Sequence, residues 1–160
     1  MLSFVHHKGD RLIKGIHHTA ISTGNLEDAL KFYRDILGFK VIMKGGWKTD
    51  TDYPEKVLGL KDSAARFFIL KRGDTHLELF EYSSPAPQPL DRTRRVCDHG
   101  ITHICLEVED IESEYKRLKD AGMSFHAAPP EAQGHMRAIY GRDPDGNVVE
   151  LLEFVDGSGP

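Results

Sequence analysis

The stretch GITHICLEVEDI, residues 100–111, repeats the plan of an earlier stretch, GIHHTAISTGNL, residues 15–26. Each begins with Gly-Ile, carries a histidine at its fourth residue (His103 and His18), continues as an apolar-rich strand and ends at a helix cap. Alternation along a strand places His18, Ala20 and Ser22 on one face. The chain is therefore predicted to contain two copies of one strand-and-helix unit.

A second pair of segments repeats in the same way. HLELFEY (76–82) aligns without a gap with VVELLEF (148–154), and the alignment matches Glu78 to Glu150. Each copy of the unit thus contributes one histidine and one glutamate at a matching position.

Each copy is predicted to have the element order βαβββ. The first has strands at 15–23, from 39, 64–71 and 75–82, with a helix from Asn25 to about Leu37; the second has strands at 100–109, 123–127, 135–142 and 147–154, with a helix after Asp110. One such unit cannot bury its sheet face alone. We therefore predict an α+β fold of two βαβββ modules that form a curved, cup-shaped mixed sheet with the helices outside.

The predicted boundaries follow from these elements. They are an N-terminal arm at 1–14, a first module at 15–82, a proline-rich linker at 83–99, a second module at 100–155 and a disordered tail at 156–160. The linker is long enough to carry the second module to the far side of the first or across to a partner chain. The polar segment 44–62 is predicted to be irregular, either as a cover over a pocket or as a surface insertion.

Composition excludes several classes of function. The net charge is −4, so the basic face expected of a nucleic-acid-binding protein is missing, and the short cluster Arg92, Arg94 and Arg95 is expected on a solvated surface. Cys97 and Cys105 are not expected to pair, which fits a reducing compartment. Neither a signal peptide nor a segment of transmembrane length is visible, so we predict a cytoplasmic protein that does not bind membranes.

The four repeated polar residues predict a metal site. If the fourth strand of each module pairs beside the first, His18, Glu78, His103 and Glu150 converge from the concave face. Two imidazoles and two carboxylates suit a divalent ion, Zn, Ni, Co, Mn or Fe, with room for water or substrate. The alternative for each residue alone is a core histidine or a strand-end surface glutamate, but unpartnered buried carboxylates are costly.

A metal with a neighbouring carboxylate suits proton abstraction next to a carbonyl. The ion polarises the carbonyl oxygen, and Glu78 or Glu150 is the candidate catalytic base. Glu107 shares the face of His103 and is a second acid/base, a substrate contact or an ion-paired rim residue. His135 lies near the start of a strand and is either a substrate contact or a surface histidine.

The segments FYRDILGF, HICLEV and DPDGNVVELLEF resemble those of the vicinal oxygen chelate superfamily. This superfamily includes glyoxalase I, methylmalonyl-CoA epimerase, extradiol dioxygenases and the fosfomycin and bleomycin resistance proteins. The resemblance covers about residues 15–155. It implies paired βαβββ modules, a divalent metal in the cup and a homodimer.

The resemblance also implies roles for individual residues. His18, Glu78, His103 and Glu150 match the four-ligand pattern of glyoxalase I, whereas the ring-cleaving dioxygenases and fosfomycin enzymes use three ligands and need no carboxylate at the position of Glu78. Where glyoxalase I has an Arg and an Asn that hold glutathione, this chain has Ser22 and Tyr82, which become candidate substrate contacts.

The resulting prediction is a divalent-metal-dependent lyase or isomerase of the glyoxalase I type that acts on a small carbonyl substrate, a glutathione adduct or a thioester. Three alternatives remain open from the sequence. They are an epimerase of the methylmalonyl-CoA type, a ring-cleaving dioxygenase, and a metal-free drug-binding protein of the bleomycin-resistance type.

Overall fold

The computed structural model describes residues 12–159, so residues 1–11 of the predicted arm and Pro160 of the predicted tail lie outside it. Its elements, in chain order, are β1 (Thr19–Ser22), α1 (Leu26–Leu30) continued by a π-helical segment (Lys31–Ile36), β2 (Lys40–Trp47), α2 (Asp52–Leu58), β3 (Ala64–Arg72), β4 (Thr75–Ser84), β5 (Ile104–Glu107), α3 (Ile111–Asp120), β6 (Ser124–Phe125), β7 (Met136–Arg142) and β8 (Val148–Phe154).

The strands form two four-stranded mixed sheets with the same topology. The strand orders are β1-β4-β3-β2 and β5-β8-β7-β6, and in each sheet the first and last strands of the module pair in parallel while the other neighbours are antiparallel. The predicted α+β fold of two repeated modules is confirmed. The two sheets are hydrogen-bonded separately, whereas the sequence predicted one curved sheet.

One face of each sheet is packed and the other is open. Leu77 and Leu79 of β4, and Val149 and Leu151 of β8, are fully buried and join one apolar core with the helices of both modules. Since side chains alternate along a strand, Glu78 and Glu150 lie on the opposite faces, away from the helices. The helices therefore cover the outer face of each sheet and leave the inner face free for a site.

Repeated caps fix the helices on the sheets. Asn25 accepts hydrogen bonds from the amides of Glu27 and Asp28, as predicted, at 3.1 and 3.2 Å. Glu81 of β4 accepts from the amide of Leu26 at 3.2 Å. At the matching position of the second module, Glu153 accepts from the amide of Asp110 at 2.8 Å.

The prediction of an irregular segment at 44–62 is wrong for most of its length. β2 continues to Trp47, and α2 occupies Asp52–Leu58. Gly45 and Gly46 look unfavourable for a strand, but a Cβ would lie 2.6 Å from the Phe67 ring at the first and 2.6 Å from the Ala65 carbonyl oxygen at the second. The glycines are therefore the residues that let β2 approach β3.

The helix α2 left no apolar pattern in the sequence because it has no buried residue. It ends at Gly59, whose positive φ of 66° suits a glycine at a helix C-terminus.

The first strand of each module is shorter than predicted. β1 begins at Thr19, opposite Leu77, and β5 begins at Ile104, opposite Val149. Upstream of these positions the parallel ladder is not continued, although β4 itself begins at Thr75. His18 and His103 consequently lie just before their strands.

Two further predictions concern compartment and membranes. The prediction that Cys97 and Cys105 do not pair with each other is confirmed, because both cysteines are free. Within residues 12–159, the structure has no helix with the length and apolarity needed to cross a bilayer.

Candidate functional site

Each module places its repeated histidine against its repeated glutamate. The His18 Nε2 atom lies 3.0 Å from Glu78 Oε2, and the His103 Nε2 atom lies 3.0 Å from Glu150 Oε2. The glutamate side chains are mostly covered, with 13% and 15% of their surface exposed, while the histidines are 35% and 28% exposed. The two modules thus present the same His–Glu pair with the same geometry.

The second ring nitrogen of each histidine is also engaged. The Nδ1 atom of His18 lies 2.8 Å from Nδ1 of His17, and Nδ1 of His103 lies 2.8 Å from the Thr102 hydroxyl. A metal-binding histidine usually binds through one nitrogen while the other contacts a neighbouring polar group, which fixes the ring. Both rings have this arrangement, with Nε2 directed at the carboxylate.

The pairs are not gathered into one four-residue centre. Among the residues that the structure describes, no three His, Cys, Asp or Glu side chains are placed to hold one metal ion. The sequence left open whether the four side chains gather within one chain or across two, and within this chain they do not converge on one point. The reason is the separation of the two sheets, each of which carries its own pair.

The donor atoms nonetheless fit a divalent ion. Neighbouring nitrogen and oxygen ligands of an octahedral ion, with bonds of about 2.1 Å, are about 3.0 Å apart. The His–Glu separation in each module has this value. The donor separation of each pair is therefore compatible with two adjacent ligands of one ion, and two pairs together give the ligand set that the sequence predicted.

An aromatic cluster lies on the same face as Glu78. Phe80 and Tyr82 follow Glu78 on that face of β4, and Trp47 and Phe67 join them, with ring centroids 5.6 to 6.3 Å apart between contacting pairs. The Trp47 indole donates to the hydroxyl of buried Ser63 at 3.0 Å. The sequence placed Trp47 in a loop, so its part in this wall was missed. Alternation along β4 places Phe80 and Tyr82 on the face of Glu78.

The second module differs around its pair. The Tyr140 ring lies 5.0 Å from the His103 ring, and this contact was not predicted from the sequence. The thiol of Cys105 shares the site face. Desolvation first, and then the Glu150 carboxylate, raise the pKa of Cys105 to about 12, which keeps the thiol protonated.

Two candidate substrate contacts line one open cavity. Ser22 and Tyr82 face a space of ≈ 490 Å³ that is also bordered by linker residues 87–90. Burial, with a smaller contribution from Glu78, raises the pKa of Tyr82, so the phenol is a hydrogen-bond donor near the first pair. Their contact with a substrate stays a prediction.

The other two candidates lie elsewhere. Glu107 borders a separate groove of ≈ 540 Å³ together with Arg72 and Arg117. His135 is exposed and lies 3.6 Å from Asp156 near the end of the chain. Neither position shows the contact with a His–Glu pair that a catalytic group would need, and their roles stay predictions.

Comparison with known proteins identifies a family model that covers most of the chain. The model of the Glyoxalase/Bleomycin resistance protein/Dioxygenase superfamily matches residues 15–151. The chain is 26% identical over 158 residues to a virulence protein of Salmonella typhimurium, covering 96% of this chain and 94% of that protein. It is 28% identical over 141 residues to lactoylglutathione lyase of Neisseria meningitidis, covering 88% and 91%.

A solved structure shares the fold as a whole. A glyoxalase family protein from Bacillus cereus superposes with a TM-score of 0.82 at 19% identity, over 92% of this chain and 98% of that one. At this identity the likeness concerns the fold, including the packing of both modules in one chain.

Proposed function

The chain belongs to the Glyoxalase/Bleomycin resistance protein/Dioxygenase superfamily, and from that premise we propose that it is a divalent-metal-dependent lyase or isomerase. It removes a proton next to the carbonyl group of a small substrate, a glutathione adduct or a thioester. The observation that carries this proposal is the repeated His–Glu pair, 3.0 Å between donor atoms in both modules.

The residues that hold the ion in this proposal are His18, Glu78, His103 and Glu150. A bound divalent ion supplies Lewis acidity toward the carbonyl oxygen of the substrate. The two imidazoles would bind the ion through Nε2, since each Nδ1 already has a polar neighbour. The glutathione adduct is proposed on the basis of the similarity to the relative named lactoylglutathione lyase.

Glu78 and Glu150 are the proposed proton carriers. Each carboxylate is largely shielded from water, so it can act on a bound substrate with little competition from solvent. One carboxylate takes the proton from the carbon next to the carbonyl and returns it to the neighbouring carbon or oxygen. A positioned base of this kind typically contributes about 10²- to 10⁴-fold to the rate.

Assembly of the full ligand set is proposed to occur in a homodimer. Each chain exposes two half-sites on two separate sheet faces, and a pair from the first module needs a pair from a second module opposite it. Two copies related by a two-fold axis can satisfy both half-sites of both chains at once. Sedimentation of the purified protein is expected to give twice the mass of the 18.0 kDa chain; a monomer with full metal content would contradict this assembly.

The test of the function combines metal content with proton exchange. Protein purified without chelators is analysed for metals as wild type, Glu78→Gln and Glu150→Gln. Both variants are expected to lose the ion, since a carboxylate ligand is replaced by a weaker one. Turnover of the hemithioacetal of methylglyoxal and glutathione, and its exchange of carbon-bound hydrogen with D₂O, should fall at least 100-fold.

Glu153→Gln is the matched control. This glutamate lies on the same strand as Glu150 but faces the amide of Asp110 at the start of α3. It should therefore keep its metal and its exchange activity. Unchanged metal content in both Glu78→Gln and Glu150→Gln would overturn the proposal, and so would hydrogen exchange that survives in them.

A further inference from the structure

A cavity between the two modules brings one member of the candidate site next to the linker. It has a volume of ≈ 190 Å³ and is bordered by residues 19–21 of β1, by residues 101–104 ahead of and within β5, and by the linker. His103 is part of its wall. A group bound in this space would lie beside the second His–Glu pair.

The charged side chains of this wall are mostly arginines. Arg94, Arg95 and Arg142 all line the cavity, and among its described lining residues Asp91 is the one carboxylate. Beside the wall, Asp98 pairs with Arg95, so two carboxylates face three guanidinium groups. One positive charge is left over, which an anionic ligand in the cavity would neutralise.

Two of these arginines are held in place by carbonyl groups. The acceptors are the backbone oxygens of Asp98, His99 and Ile101 for Arg94, and of Gly146 and Arg94 for Arg142, at 2.6 to 3.2 Å. Carbonyl groups fix the guanidinium planes but carry no formal charge of their own. This finding corrects the expectation of a solvated cluster for Arg94, which is half-buried.

The third arginine is more exposed and carries an ion pair. Arg95 Nη2 lies 2.7 Å from Asp98 Oδ1, and 76% of the Arg95 side chain is exposed. The remaining donors of its guanidinium are free to turn toward the cavity. Arg95 is therefore the member of the cluster that can be replaced without disturbing the linker.

We propose that this cavity binds the anionic group of the substrate, a carboxylate or a phosphate, and holds it beside His103. The inference deepens the proposed function by assigning a charged substrate to that site. Guanidinium groups suit it because their planar arrangement of donors matches the oxygens of carboxylates and phosphates. Thr19 and Thr102 on the same wall offer hydroxyl donors.

The first test measures binding of inorganic phosphate and, separately, of acetate by calorimetry at low ionic strength. Arg95→Gln is expected to weaken the binding of the preferred anion about tenfold, the loss of one charge-assisted contact. Arg34→Gln is the matched control, because Arg34 also pairs with a nearby aspartate at 2.7 Å but lies on the π-helical segment away from the cavity. The control should bind the anion as the wild type does.

A second variant tests whether removal of a negative charge strengthens anion binding. Asp91→Asn removes the one carboxylate of the wall, while its side-chain oxygen can still accept from the Thr93 amide and hydroxyl, now at 2.8 and 2.6 Å. Anion binding should become at least about threefold tighter, because one repulsive charge is gone. A purely structural role of the arginines would not produce this gain.

The relative affinities identify the source of the anion. Tighter binding of phosphate than of acetate indicates a phosphate-bearing substrate, and tighter binding of acetate indicates a carboxylate-bearing one. The proposal is overturned if neither anion binds the wild type, if Arg95→Gln and Arg34→Gln bind alike, or if Asp91→Asn shows no gain. Because binding is read without turnover, these results stand apart from the metal and exchange measurements that test the function.

Discussion

A single buried hydrogen bond between the modules provides a quantitative test of how the fold is held together. The Tyr33 hydroxyl donates to Asp143 Oδ2 at 2.8 Å, and the two residues are 2% and 6% exposed. Tyr33→Phe removes one oxygen and leaves the ring in place, so the change creates no cavity of the size of a methyl group. Hydrogen bonds to charged groups contribute about 1.5–3 kcal/mol, and the free energy of unfolding should fall by that amount.

Urea unfolding followed by circular dichroism measures this loss. For a chain of this length, a loss of about 2 kcal/mol also lowers the melting temperature by about 4–8 °C. Tyr115→Phe is the control, because its hydroxyl contacts Lys119 Nζ at 3.1 Å on an exposed helix surface. The control should change stability by less than about 0.5 kcal/mol. Equal effects of the two substitutions would refute the idea that the buried bond holds the modules together.

The same tyrosine predicts a loss of stability at alkaline pH. Burial first, and then the charge of Asp143, raise the pKa of Tyr33 well above its usual range. The folded protein therefore keeps a proton that the unfolded chain releases near pH 10. The contribution of protonated Tyr33 to stability is complete below that pH and declines above it. Between pH 9.5 and 11 the stability difference between wild type and Tyr33→Phe should shrink by about 1 kcal/mol; a constant difference would contradict this assignment.

Two further substitutions test the helix cap and the strand contact. The pKa of Glu81 is lowered by its arginine partner and by the first amide of α1, so the stability that Glu81 contributes is present above about pH 4.5 and is lost as the pH falls through the lowered pKa. In urea titrations from pH 7 to 3, Glu81→Gln should lower the free energy of unfolding by about 1 kcal/mol at neutral pH and by less in acid. Exposed Glu27→Gln should have little effect, and equal losses in the two variants would contradict the role of Glu81 as a helix cap. Gly46→Ala places a Cβ 2.6 Å from the Ala65 carbonyl oxygen and should lower the free energy of unfolding, measured by thermal unfolding, by about 1–3 kcal/mol. Gly24→Ala, with open space around the new Cβ, should lower it far less. Similar losses in the two variants would show that β2 can shift away from β3.

The local parts of the candidate site were predictable because they depend on periodicity and alignment. The gap-free match of 76–82 with 148–154 fixed which glutamates correspond, and strand alternation fixed their face. Parallel pairing of the first and last strands then brings each histidine to its glutamate. For that reason both His–Glu pairs could be expected from residues separated by up to 60 positions.

The arrangement of the two pairs relative to each other was not predictable in this way. It depends on how two sheets pack, through contacts such as that of Tyr33 with Asp143, which no local pattern indicates. The helix α2 was missed because it buries nothing. Arg94 was assigned to a solvated loop because its three carbonyl partners lie in a turn whose path the sequence does not specify.

The repeat itself contains two kinds of glutamate, and only their position in the strand separates them. Glu81 and Glu153 match one another in the same alignment as Glu78 and Glu150, three residues further along. An odd spacing places them on the opposite face of the strand, where they accept from the first amides of the helices. Repetition alone therefore does not indicate catalysis. Repetition indicates that a residue has the same role in both modules. The face of the sheet on which the residue lies determines whether it caps a helix or contacts a histidine.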